Sequence, residues 1–479
     1  MIGYKFMAFN KKIAIIAGTF PHPLDKPTEF YTSLEVRALK SMGYEVQLYS
    51  SYGELDAAKH SQRAKELGVD DPIIFLPEVN LNTFHASDFL SALDNIKKQP
   101  DQLKAVLSSM LTKQDSSDII LRAIQKNNKN PQFIKALETL KDNIQNRSGD
   151  FLTAEKHCAH FLKAFVVSST MSEEIDVLYA QTFGNGPTIA DYASILKGET
   201  TWIAMGHNND TNFLPPEEVK YRFQKASMIM ADSQNALDMF NLKLGNHNRN
   251  IPVVYRGIDT DLYKPKPVDN EHKAHIKIAS IARLEKVKGL DYLIESISML
   301  PPDISCELNI YGDGAERENL QKLIEQHGLQ DKITIHGFVK REDVINIIQD
   351  TDLHILPAIH VGDKKISKTT DSVSRSMLEM AAGCVPSIVT DAGGLKEFVK
   401  DQRNGVIVPE QDSTSLANAI TELYRDHEKR TTLGQQARQD VIQQFDYRNT
   451  QKDLAQLIEK AMKQESNSSI KKTVKKLKL

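Results

Sequence analysis

The chain has 479 residues, long enough for two large domains, and its 60 Lys and Arg against 63 Asp and Glu leave a net charge of −3. That balance excludes nucleic-acid binding through a general basic field, and 40% hydrophobic with 26% charged residues excludes global disorder. No apolar run approaches the roughly 18 to 20 residues of a membrane span. The three cysteines, Cys158, Cys306 and Cys384, are far apart and form no CxxC pair, which argues against a disulfide scaffold or a zinc site and favours a reducing cytoplasm. The apolar run after Lys11 and Lys12 lacks a long signal-type core and leads straight into fold-like sequence, so it reads as a first strand.

In chain order, Lys12–Phe20 reads as a buried strand, followed by a helix with Leu34, Ala38 and Met42 on one face and stopped at Gly43. Further strands are predicted at Glu45–Tyr49, Ile73–Leu76, Phe165–Val167, Val177–Ala180, Trp202–Met205, Met228–Ala231 and Val253–Tyr255. Residues 81–150 break the alternation. They are polar, helix-prone and poor in β-branched residues, and read as a helical insertion. The polar, proline-containing stretch 264–275 reads as a linker. The pattern then restarts, with strands at Ile276–Ile281, Glu307–Tyr311, Ile333–Ile335, Leu353–Leu356, Ser387–Val389 and Gly405–Val408, and helices such as Gly289–Leu300 and Glu316–Gln326. Strand–helix alternation implies parallel sheets covered on both faces. The expected fold is α/β: two tandem doubly wound, Rossmann-like domains, 1–263 and 276–440, facing each other across a cleft, with ligands at the carboxyl ends of the strands. A C-terminal helix at 441–465 is expected to pack back on the first domain. From Ser466 to the end the chain carries five lysines, which suits either a solvated end or a patch touching anionic lipid head groups.

The stretch Asp371–Lys400 carries the most chemistry. An apolar stripe of Met377, Leu378, Met380 and Ala381 marks a helix ended by Gly383 and Pro386, with Ser372 and Ser374 available to cap its start. Free N–H groups at a helix N-terminus bind anions without a metal. Asp371 and Glu379 are separated by eight residues, about 12 Å along a helix, a span that suits carboxylates on either side of a bound diphosphate. Two DxD triplets, Asp259-Thr260-Asp261 and Asp350-Thr351-Asp352, have no setting that favours a divalent ion.

This stretch resembles the E-x7-E motif of glycosyltransferase family 4, whose fold is GT-B, and Thr390-Asp391-Ala392-Gly393-Gly394 through Glu397 and Val399 is similar to the family's following segment. The resemblance extends to Gly18-Thr19-Phe20-Pro21, to Thr28-Glu29-Phe30 with Glu35, and to His207-Asn208-Asn209-Asp210. It also covers Arg256-Gly257-Ile258-Asp259, Ile281-Ala282-Arg283-Leu284 through Lys288-Gly289-Leu290, Tyr311-Gly312-Asp313-Gly314 and His336-Gly337-Phe338-Val339. The branch it looks most like builds colanic acid and similar exopolysaccharides. The chain departs from the family where Asp371 replaces the usual Glu, Ser372 a common Gly, and Arg375 a usually apolar residue.

The resemblance implies a retaining transfer of a hexosyl group from a nucleotide-sugar to a saccharide or lipid-linked saccharide acceptor in cell-surface polysaccharide assembly. The reading is of a metal-independent, cytoplasmic enzyme with no cofactor beyond the nucleotide-sugar co-substrate, and an acceptor at the membrane face would suit the second reading of the basic tail. Arg283 and Lys288 match the cations that steady the departing diphosphate, Asp371 and His207 face the transferred sugar as catalytic residues, and Glu379 accepts from ribose. Gly18, Thr19, Val339, Ser374 and Arg375 complete the expected substrate-binding set. Glu397 and Asp210 have capping as an alternative role, and the 336–339 loop either offers backbone groups to a nucleobase or is only a strand end. Two other readings are a GT-B nucleotide-sugar epimerase and a catalytically silent sugar-nucleotide-binding subunit.

Overall fold

A computed structural model describes residues 11–18, 20, 27–50, 57–149, 152–207, 214–245, 247–265, 274–361 and 372–476. Most of the expected linker, together with Thr19, Asp210 and Asp371, lies outside these residues. The chain divides into two compact units. Unit 1 comprises residues 1–231, 240–252 and 451–479; unit 2 comprises residues 232–239 and 253–450.

Unit 1 is built on six parallel strands: β1 (Lys12–Ala17), β2 (Glu45–Ser50), β3 (Ile73–Phe75), β4 (Ile175–Ala180), β5 (Trp202–Gly206) and β6 (Met228–Ala231). Unit 2 is built on six more: β7 (Ile276–Ile281), β8 (Cys306–Tyr311), β9 (Ile333–Gly337), β10 (Leu353–Leu356), β11 (Ser387–Thr390) and β12 (Gly405–Val408). β1, β4, β5 and β10 are buried along almost their whole length, as expected for parallel strands covered on both faces.

The strand orders are β3-β2-β1-β4-β5-β6 and β12-β11-β10-β7-β8-β9. In each sheet the chain starts near the middle, builds outward to one edge, and returns to build the other half. The reversal falls between β1 and β4 in unit 1 and between β7 and β10 in unit 2. At such a switch point the loops on either side leave in opposite directions and open a crevice at the strand ends.

Two predicted strands are corrected. Phe165–Val167 lies in the helix Ala154–Thr170, whose residues His157, Cys158, Phe161, Leu162, Phe165 and Val167 are all buried. The apolar run is the inward side of a helix enclosed by its neighbours, and Thr153 caps its start by accepting from the Lys156 N–H at 3.3 Å. Val253–Tyr255 belongs to no named strand. Residues 81–150 supply four helices, Ala86–Asp94, Pro100–Met110, Gln114–Asn127 and Pro131–Arg147. The last of these carries Arg147, which joins Glu218 of the helix Pro216–Lys225 at 2.5 Å. Glu218 also binds Arg222 Nε at 2.6 Å, and the Arg222 guanidinium donates to the carbonyls of Phe183 and Gly184 in the loop after β4. Burial pushes the Glu218 carboxyl up, but Arg222 and Arg147 outweigh it and hold it below the ordinary value. Among the described residues no helix is long and apolar enough to cross a membrane.

Candidate functional site

In unit 2, the loop after β7 turns sharply through Arg283 and Lys288 to the helix Leu290–Ser298. Gly289 permits this turn. Its φ is +59°, and a Cβ there would meet the Pro357 carbonyl oxygen at 2.1 Å. Across the switch point, the Ile359 N–H donates to the Val287 carbonyl at 2.9 Å, so the loops after β7 and β10 are joined. The β10 loop is anchored a second time by Glu410, which accepts from the His360 N–H at 2.6 Å and meets His360 Nδ1 at 2.9 Å.

On the other side, the loop after β8 is pressed against the loop after β7. At Gly312, with φ of +144°, a Cβ would lie 1.8 Å from the Ala282 carbonyl oxygen. Leu284 N–H donates to the Asp313 carbonyl and Gly312 N–H to that of Gly337, at 3.0 and 2.8 Å. Three successive loops are thereby locked at the strand ends. From this rigid rim the Arg283 side chain projects 62% exposed, paired with its neighbour Glu285, while Lys288 is buried.

The helix Arg375–Ala382 begins at Ser374, but neither serine caps it as expected. Ser374 occupies the N-cap position with no side-chain bond to the backbone, and its hydroxyl instead lies 3.1 Å from that of Ser376. Capping is therefore lost to a side-chain contact, and the first N–H groups of the helix have no side-chain cap from Ser374. Glu379, one turn along, is 2% exposed. Its Oε1 accepts from the Tyr263 hydroxyl at 2.7 Å and from Arg375 Nε at 3.1 Å. Arg341, at the start of the helix that follows the 336–340 loop, also bonds Tyr263, and burial pulls its guanidinium below the usual range. Burial and the Glu379 charge push the Tyr263 phenol up, so it stays a donor. Arg375 is thus a partner of Glu379, not a surface charge.

Val339 packs partly buried against the core beside these groups, and Tyr311 and His336 stack with ring centres 4.5 Å apart. Glu397 acts as a cap: its two carboxylate oxygens accept from Gln234 N–H at 2.7 Å and Asn235 N–H at 2.9 Å, at the start of helix Gln234–Leu244. Burial pushes its carboxyl above the ordinary value. The DxD triplets serve the fold. Thr260 donates to Asp446 at 2.5 Å, Asp261 pairs with Arg448, Asp350 with Lys277, and Asp352 accepts from the Lys277 N–H. No group of three or more potential metal ligands occurs among the described residues.

In unit 1 the switch point brings Gly18, at the end of β1, against Thr182, just after β4; a Cβ on Gly18 would meet the Thr182 methyl at 3.3 Å. His207 follows β5, and its Nε2 lies 2.9 Å from the Gln181 carbonyl oxygen. Gln181, Tyr263 and Arg341 are site-region residues that sequence reading missed. Each is joined to a partner far away in the chain, and no local motif announces them.

Residues 264–440 match the family described as glycosyl transferases group 1. The match falls within unit 2. Curated proteins similar to the chain include the putative colanic acid biosynthesis glycosyltransferase WcaL of Escherichia coli, 27% identical over 45% of this chain and 53% of that protein. The amylovoran biosynthesis glycosyltransferase AmsK of Erwinia amylovora is 24% identical over 46% and 53%. The chain spans about half the length of these relatives. The fold is GT-B, as two solved structures indicate. A glycosyltransferase from Rickettsia africae has TM-score 0.62 and 18% identity, covering 95% of this chain and 99% of its own. The Anabaena protein HepE, solved with UDP and glucose, has TM-score 0.60 and 17% identity, covering 94% and 100%.

Proposed function

We propose that the chain is a retaining, metal-independent glycosyltransferase that moves a hexosyl group from a nucleotide-sugar to a saccharide or lipid-linked saccharide acceptor in cell-surface polysaccharide assembly. The observation that carries this reading is the rigid rim at the β7/β10 switch point inside the group 1 domain. It holds Arg283 and Lys288 on one side and is followed in the chain by helix Arg375–Ala382, whose start the Ser374 side chain does not cap.

As the glycosidic bond breaks, the departing nucleoside diphosphate gains negative charge. Fixed cations stabilise that charge more in the transition state than in the ground state and lower the barrier. Arg283 grips diphosphate oxygens with paired N–H groups, Lys288 adds a compact charge, and the helix start contributes oriented N–H groups. With these charges in place the diphosphate needs no divalent ion. Glu379 takes the ribose hydroxyls with the carboxylate edge that Tyr263 and Arg375 leave, and Val339 lies beside the base. Asp371, His207, Gly18 and Thr19 are assigned to the reacting sugar and its acceptor. The similarity to colanic acid and amylovoran proteins supports a polysaccharide pathway, and the five lysines of the tail suit contact with anionic lipid at the cytoplasmic face.

Thermal-shift measurements against UDP-, GDP- and ADP-sugars test this reading, because a ligand that binds only the native state raises its apparent stability. One base class is expected to stabilise the wild type, and Arg283→Ala with Lys288→Ala is expected to abolish the shift. No shift with any nucleotide-sugar would remove the proposal.

A further inference from the structure

Glu410, in the loop after β12, has no part in the reaction above. Both oxygens of its carboxylate meet one residue. Oε2 accepts from the His360 main-chain N–H at 2.6 Å, and Oε1 lies 2.9 Å from Nδ1 of the same residue's ring. A carboxylate oxygen only accepts, so Nδ1 carries a hydrogen, and the two bonds fix His360 in backbone and ring together. Glu410 is itself braced. Its N–H donates to Asp391 Oδ1 at 3.1 Å, and the Asp391 N–H donates to the Val408 carbonyl at 3.0 Å, which ties the ends of β11 and β12.

His360 is the last of three successive residues after β10 that are each held by a different neighbour. The Ala358 carbonyl accepts from the Thr390 hydroxyl at the end of β11. The Ile359 N–H donates to the Val287 carbonyl at 2.9 Å, in the turn after β7. His360 goes to Glu410, beyond β12. In the order β12-β11-β10-β7, the stretch is tied to the ends of all three other strands. The middle bond bears on the ligand, because Val287 precedes Lys288. Gly289 follows it, so close to the same stretch that a Cβ would meet the Pro357 carbonyl oxygen at 2.1 Å and Ile359 Cγ2 at 3.1 Å. Both chain neighbours of Lys288 therefore rest on residues 357–360.

We propose that Glu410 is a positioning residue for the diphosphate site of unit 2: by clamping His360 it holds the 357–360 stretch, and with it the turn that presents Lys288. The proposal rests on the glycosyltransferase reading for the ligand; the clamp stands on the geometry alone. Glu410 acts on the nucleotide only through this stretch, by keeping the turn ordered before the ligand arrives. The sign of the effect separates this role from a plain charge effect. A carboxylate on an anion-binding rim repels the anion, so charge alone makes its removal tighten binding. A clamp makes its removal weaken binding.

The test measures binding of UDP, GDP and ADP to the full chain by calorimetry, with urea unfolding of each variant alongside. Glu410→Leu keeps the bulk and removes both acceptors; Glu410→Gln drops the charge and keeps an oxygen for the His360 N–H. Glu410→Leu is expected to weaken the nucleoside diphosphate that binds about tenfold, and Glu410→Gln to restore affinity to within about threefold of wild type. On a Lys288→Ala background, Glu410→Leu is expected to cost nothing more, since residues that act through one another are not additive. Unchanged or tighter binding by Glu410→Leu, or an equal loss on both backgrounds, overturns the proposal. If Glu410→Leu does not fold, His360→Leu takes its place, because it keeps the main-chain bond and removes only the ring. A loss of about threefold is then expected, and unchanged affinity overturns the proposal. If the wild type binds none of these nucleotides, it is the glycosyltransferase reading that fails, and the clamp is judged by hydrogen exchange at residues 285–289, read by mass spectrometry. Faster exchange there in either variant supports it, and unchanged exchange overturns it.

Discussion

The two switch points are built from the same topology and filled in opposite ways. In unit 2 the rim is backbone locked to backbone, and its charge points outward on Arg283. In unit 1 the polar groups turn inward. Glu35, Thr32 and Gln181 are buried and hydrogen-bonded to one another, and His207 follows at the strand end. An exposed cation offers its field to an incoming anion, whereas a buried, satisfied network fixes geometry. The first arrangement suits a ligand that brings charge, and the second holds the loop ends in one geometry.

The comparison breaks first if the interior of unit 1 is not held by its polar groups. Arg222→Met leaves Glu218 buried with only Arg147 and strips two carbonyls after β4 of their donor, so it is expected to cost about 3–5 kcal/mol, read from urea unfolding. Next, Arg283→Ala and Lys288→Ala are each expected to weaken nucleoside diphosphate binding about tenfold or more by calorimetry, the loss of a hydrogen bond to a charged group, with no comparable loss of stability. Unchanged affinity in both would erase the contrast between the units. Glu379→Ala is expected to weaken nucleosides more than inorganic pyrophosphate. It also lowers stability by about 1–3 kcal/mol, because Arg375 and Tyr263 lose a buried partner.

Acid sharpens the picture. Burial pulls His354 down to about 3, and burial with Arg147 pulls His157 down to about 4. Both are neutral in the folded chain, so their contribution is fully present above about pH 6.5. It is lost as the pH falls from there toward about 4 and 3, because only the unfolded chain takes up the protons. Urea midpoints measured at pH 7.5 and pH 5 are expected to fall, and His354→Leu to reduce the fall. The smallest effects are expected from EDTA and from removing the residues after Ser466. Each should leave turnover on a soluble acceptor within about twofold, given that cations of the chain already supply the charge a metal would bring.

The sequence made the strands of both sheets legible, because buried parallel strands are short apolar runs between helix-period segments. It misassigned Phe165–Val167, since an enclosed helix is apolar on nearly every side and the pair Val166-Val167 looks strand-like. The candidates Arg283, Lys288 and His207 could be singled out because loops that leave strand ends carry local motifs. Gln181, Tyr263 and Arg341 were not legible. Their importance comes from partners that only folding brings near, such as Tyr263 reaching Glu379. Ser374 was misjudged for a related reason: the capping position is a local property, but the neighbouring Ser376 hydroxyl took the bond.

The helix Tyr447–Lys476 has a consequence for the order in which the protein is made. Its Leu454, Ile458 and Ala461 are wholly buried, Glu459 accepts from the Tyr44 hydroxyl at 3.1 Å, and from Gln451 onward it belongs to unit 1. The ribosome therefore delivers every strand of the second sheet before the last piece of the first unit emerges. The half of the molecule that is begun first is the half that is finished last, and a nascent chain released before Gln451 carries an open wound on its N-terminal unit for chaperones to cover.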